Sequence, residues 1–96
     1  MKSAREFAEW LQERFGKHQA GIYLTRDDIA ELSGRQRFNQ QFVSDVHFEL
    51  TLLGMGFVTD SHREKFYLFH LPDTHWRTLG HEDIDLPSAH DETGEQ

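Results

Sequence analysis

Thr25-Arg-Asp-Asp-Ile-Ala-Glu-Leu-Ser-Gly34, Arg35-Gln-Arg37 and Phe38-Asn-Gln-Gln-Phe-Val-Ser-Asp-Val-His-Phe-Glu-Leu-Thr-Leu-Leu53 follow one another without a gap, and their reading decides the fold. The first piece reads as a short helix. Thr25 caps it, Asp28 completes a capping box three residues on, Ile29 and Leu32 form its buried pair, and Gly34 stops it. Arg35 to Arg37 make the turn. A longer helix is predicted over 38–53, with Asn39 as its N-cap and Phe38 and Val43 placed as a hydrophobic staple. Phe42, Val46, Leu50 and Leu53 then recur at steps of four, four and three, the spacing of one buried helical stripe.

Gly54-Met-Gly56 breaks that pattern. Beyond it, 57–60, 61–64 and 65–71 read as strand, polar turn and strand, ended by Pro72. In the second strand Phe66, Leu68 and His70 alternate against Tyr67, Phe69 and Leu71, so both faces are largely apolar and both call for cover. Asp73 is placed to cap a short helix over 73–80 that carries Trp76 and Leu79 on one side. Upstream, a helix is predicted over 3–15. Ser3 and Glu6 form its capping box, Ala4, Phe7, Ala8, Leu11 and Phe15 its apolar stripe, and Gly16 its C-terminal stop, while Trp10 lies off the stripe. Ile22 to Leu24 reads as a brief strand able to pair with the hairpin.

Ninety-six residues allow one domain. It is assigned to 1–80, with 81–96 as an acidic tail expected to be disordered. The net charge is −7, which argues against a simple nucleic-acid binder. Its distribution softens that objection. Residues 81–96 carry six acids and neither Lys nor Arg, so residues 1–80 hold 10 basic and 11 acidic side chains, a net of −1. Cysteine is absent, which excludes disulfides and thiolate metal sites. The N-terminus lacks the apolar region of a signal peptide, and no apolar run approaches the roughly 18 residues of a membrane span. A soluble, cytoplasmic protein is expected.

The order helix, strand, helix, turn, helix, hairpin covers about residues 3–71. Ile29, Ala30, Leu32 and Gly34 stand as the first half of a helix-turn-helix does, with a small residue for close helix approach and a glycine for the turn. This pattern resembles the winged helix-turn-helix DNA-binding superfamily of bacterial regulators. Two departures are visible: Arg35 to Phe38 lengthens the turn, and Gln40 falls where a buried residue is usual. The resemblance implies an α+β fold with a three-helix core and a small antiparallel sheet whose hairpin is the wing. It also implies duplex DNA as partner, a homodimer, and a role in transcription regulation.

The residues themselves fit base reading. Once the core stripe is removed, the start of the third helix presents Asn39, Gln40, Gln41 and Ser44, with Arg35 and Arg37 just ahead. Asn and Gln bond adenine bidentately, and Arg bonds guanine or phosphate. Asp45 and Glu49 lie further along, away from the end that meets the bases. Arg63 and Lys65 at the hairpin tip complete a set of four cations for phosphates. His47 and His62 belong to the same face and would gain charge near pH 6.5. Four cations are a modest footprint, so useful affinity calls for two copies. Trp10, Phe48, Leu52, Trp76 and one face of 66–71 exceed what a small core needs, which also points to an interface, with the first helix and 73–80 as its candidates.

The rival class is a winged helix used for protein contact, or an acidic DNA mimic, favoured by the −7 charge and the apolar surplus. The acidic tail would compete with DNA for the basic face or serve as a solvating or partner-binding end. Catalysis has no support: there is no cysteine nucleophile, no G-x-S-x-G and no phosphate loop. Asp27 and Asp28 are explained by the helix dipole. The seven histidines are scattered without metal-ligand spacing. No cofactor or metal is expected.

Overall fold

The computed structural model describes residues 1–80. The tail assigned to 81–96 lies outside the described residues. The described residues fold as three α-helices and a three-stranded antiparallel sheet. The helix starts follow the caps. Helix α1 spans Ala4–Phe15, and Ser3 Oγ accepts from the Glu6 amide at 3.1 Å while the Ser3 amide donates to the Glu6 carboxylate at 2.9 Å. Those two bonds, the backbone one first, hold the Glu6 carboxyl below its ordinary range. Gly16 ends α1 as expected, in right-handed geometry (φ −63°). The left-handed residue comes later, at Gly21 (φ 83°), where the chain turns into strand β1, Ile22–Thr25.

Thr25 closes β1 and caps helix α2, Arg26–Ser33, so strand runs into helix with no loop between them. Its hydroxyl accepts from the Asp28 amide at 3.2 Å, and its own amide donates to Asp28 at 2.9 Å. Gly34 stops α2 in the left-handed conformation (φ 77°) as expected. Ile29 is buried, but Leu32 is only half-buried. The other buried residue of α2 is Ser33, whose hydroxyl donates to the Ala30 carbonyl.

Helix α3 spans Gln40–Leu52, two residues later than expected at its start, because Asn39 Oδ1 caps the Phe42 amide at 2.9 Å. Its buried residues are Phe42, Val43, Val46 and Leu50. Leu53 was expected to complete that stripe and does not. The helix stops at Leu52, Leu53 takes φ −93° and ψ 8°, and its side chain is 37% exposed.

Strands β2 (Met55–Asp60) and β3 (Lys65–His70) form the hairpin, and the sheet order is β1-β3-β2. Strand β2 begins two residues before the expected start. Met55 is core, and Gly56 lies under the Phe69 ring, where a Cβ would come within 2.5 Å of a ring carbon. The helices cover one face of the sheet. Phe7, Leu11, Ile29, Val46, Leu50, Met55, Phe66 and Leu68 are the most deeply buried side chains, each such burial contributing about 1.5–3 kcal/mol before entropy is counted. Phe7 stacks on Phe42 at 6.0 Å and Phe57 on Phe66 at 5.7 Å, tying α1, α3 and the hairpin into one core.

The other sheet face carries Tyr23, Val58, Tyr67, Phe69 and Leu71 and stays partly exposed. The helix expected over 73–80 is a single 3-10 turn, Trp76–Thr78, capped by His75 rather than Asp73. It leaves Trp76 partly exposed beneath the Arg77 guanidinium. No helix among the described residues is long and apolar enough to cross a membrane.

Candidate nucleic-acid interface

The α2–α3 turn sets the site. Left-handed Gly34 turns the chain away from α2, and five residues later Asn39 starts α3. Arg35, Arg37, Phe38 and Asn39 line one shallow cleft of about 270 Å3 at the N-terminal end of α3. Three of the expected site residues therefore share one cleft. Gln40, Gln41 and Ser44 continue from it along the exposed face of α3. Gln40 and Ser44 make no side-chain hydrogen bond among the described residues, whereas Gln41 Nε2 donates to Asp45 at 2.8 Å. The Asn39 oxygen is committed to its cap.

Arg35 has structural work of its own. Its guanidinium lies 3.9 Å from the Phe42 ring centroid and donates to the Lys2 carbonyl at 3.0 Å, and its Nε is buried without a partner among the described residues. Arg37 is exposed. His47 is turned toward the sheet: its Nδ1 lies 3.0 Å from the Phe57 carbonyl, and because a carbonyl only accepts, Nδ1 carries the proton. His62 is exposed in the hairpin loop, Ser61–Glu64.

Arg26 is the cation that sequence reading missed. Its guanidinium sits 4.7 Å from the Phe38 ring and 5.8 Å from Phe66, while the two rings lie 6.1 Å apart. Its neighbour Thr25 pairs directly with Lys65 in the sheet. Arg26, Phe38 and the Arg35–Asn39 cleft thus adjoin at the start of α3, whereas Lys65, over Tyr23, lies on the opposite face of the sheet from Phe66. A signal was present in the sequence: Arg26 follows the capping Thr25, at the start of the helix that leads into the turn.

The tip of the hairpin differs from expectation. Asp60 accepts from the Arg63 amide at 3.1 Å, from the Arg63 guanidinium at 2.9 Å and from the Tyr67 hydroxyl at 3.2 Å. The Arg63 side-chain bond is the main cause holding the Asp60 carboxyl below its usual range, and the same bond raises the Arg63 guanidinium. Burial, then Asp60, pushes the Tyr67 phenol up. Arg63 is therefore folded back onto a carboxylate. Lys65 holds its ammonium 4.3 Å from the Tyr23 ring. Among the described residues no three His, Cys, Asp or Glu side chains gather as a metal site.

No family model matches this chain, and neither a curated protein nor a solved structure matches it.

Proposed function

We propose that this chain is a winged-helix protein that binds duplex DNA, as a transcriptional regulator does. The adjoining Arg26, Phe38 and Arg35–Asn39 cleft at the start of α3 carry this reading. They supply cations beside the end of a helix whose first exposed side chains are amides and a hydroxyl. Arg26 and Arg37 would hold phosphates, and Gln40, Gln41 and Ser44 would meet base edges in the major groove. Arg35 would act by shaping the cleft and Arg63 by shaping the wing loop. No cofactor is required.

The test is binding of the full chain to random-sequence duplex DNA at two salt concentrations, by fluorescence anisotropy. Binding should weaken with salt, and Arg26→Ala/Arg37→Ala should lower the slope of log K against log salt by about 1.8, at about 0.9 per phosphate contact. Absence of binding at about 50 mM salt, where phosphate contacts are strong, would remove the proposal.

Protein contact is the second reading, and one observation favours it. Phe48 and Leu52, on the second half of α3, are 60% and 66% exposed. Apolar side chains that open to water mark a surface meant for another protein more readily than one meant for a phosphate backbone.

A further inference from the structure

Phe42, Val43, Val46 and Leu50 bury one side of α3. At about 3.6 residues per turn, the side directly opposite carries Gln41, Ser44 and Phe48, with Asp45 on its flank. Phe48 is 60% exposed, and with Leu52 a turn further on it forms an open apolar ridge. It stands one turn beyond Ser44, so a groove that receives Ser44 receives the ring next. In the major groove an apolar side chain has one kind of apolar partner, the methyl group at C5 of a pyrimidine.

Asp45 decides which pyrimidine. It precedes Phe48 by three residues, so the two side chains are neighbours on the helix surface. Its Oδ1 accepts from Gln41 at 2.8 Å, and its other oxygen has no hydrogen-bond partner among the described residues. Glu49, the other acid on this half of the helix, lines the cleft toward α1 with Arg5 and Glu9. The outward side therefore offers an apolar ring beside one open acceptor. Thymine carries its methyl group beside O4, an acceptor that a carboxylate repels. Cytosine offers its N4 amine as a donor but no methyl group. 5-Methylcytosine carries both on adjacent ring atoms, and one hydrogen of its amine stays free in the major groove when the base is paired. N6-Methyladenine lacks that free hydrogen, because pairing takes the one it keeps.

We propose that α3 distinguishes 5-methylcytosine in duplex DNA, Phe48 packing on the methyl group and Asp45 accepting from the N4 amine. The proposal rests on the duplex-DNA reading and adds to it the modification state of the base.

Random-sequence duplex pools made with cytosine or 5-methylcytosine, and with thymine or uracil, differ by methyl groups alone. Fluorescence anisotropy of the full chain on these pools at about 50 mM salt tests the proposal. The 5-methylcytosine pool should bind about three- to fourfold tighter than the cytosine pool, the value of one buried methyl group. Exchanging thymine for uracil should leave affinity unchanged. Phe48→Ala should erase the preference and keep salt-sensitive binding, whereas Leu52→Ala, on the same ridge, should keep both. Asp45→Ala no longer repels O4, so it should make thymine pools bind tighter than uracil pools. Circular dichroism melts of each variant confirm that the fold survives. Equal binding to the cytosine and 5-methylcytosine pools overturns the proposal and leaves the DNA reading standing, as does a preference that survives Phe48→Ala. Weaker binding of the uracil pools by the unaltered chain overturns it as well, because the ring then reads thymine, and so does an Asp45→Ala chain still indifferent to uracil. Failure to bind any pool removes the DNA reading and this proposal with it.

Discussion

Arg35 sits where a phosphate-holding residue is expected, yet its guanidinium is spent on the Phe42 ring and the Lys2 carbonyl. Arg35→Ala should cost about 1–2 kcal/mol in urea denaturation, the range of a partly buried cation–π contact with one hydrogen bond. Arg35→Lys should recover only part of it, because an ammonium lacks the planar fork that stacks and donates together. Arg37, which is exposed, is therefore the cleaner probe of DNA contact, since Arg26 also stacks on aromatic rings.

Asp60 makes a second prediction. Its carboxyl is depressed in the folded chain by Arg63, so the stability it adds is complete above the unfolded value of about 3.9. That stability is lost as pH falls through the lower folded value. Tyr67 has the opposite sign: its raised phenol adds stability that is complete below the unfolded value of about 10 and is lost as pH rises through the folded value. Asp60→Asn should flatten the acid limb of the stability curve, measured by denaturation between about pH 2 and 5. None of this shows in the linear sequence, since polar residues are what any exposed turn carries, and only the loop geometry brings Asp60 onto Arg63 and Tyr67.

At the scale of elements, helix beginnings were legible and helix endings less so. Capping is local chemistry within four residues, so Ser3 with Glu6, Thr25 with Asp28, and Asn39 all act as their spacing implies. Endings depend on where the chain must go next. Leu53 leaves the buried stripe because the helix has already stopped. The early start of β2 was hidden because Gly54 and Gly56 read together as a turn. Only the Phe69 ring packed over Gly56 explains the second glycine. Thr25→Ala should lower stability by about 1 kcal/mol. Gly56→Ala should cost about 1–3 kcal/mol, because the ring must move aside for a methyl group. Thermal melts compare the two.

For the molecule as a whole, the order of elements and the α+β class were readable from periodicity and punctuation. The electrostatic layout was not. A net charge of −7 says nothing of where ten basic residues gather, and Arg26 joins the candidate face only through its seat on Phe38. The surplus of apolar residues was legible too, but its location was not. Helix α1 turns its stripe inward, with Phe7, Ala8 and Leu11 fully buried, and α3 is left holding the open ridge.

The beginning of the chain has a practical consequence. The Lys2 amide donates to the Ser33 carbonyl at 2.8 Å, its ammonium reaches the Leu32 carbonyl at 3.0 Å, and Arg35 grips the Lys2 carbonyl in return. Met1 Cα lies 3.2 Å from where a Gly34 side chain would begin. A purification tag spliced ahead of Met1 would emerge beside the very hollow whose occupancy is in question, and an assay run on such a fusion would report the label's obstruction as readily as the protein's own preference.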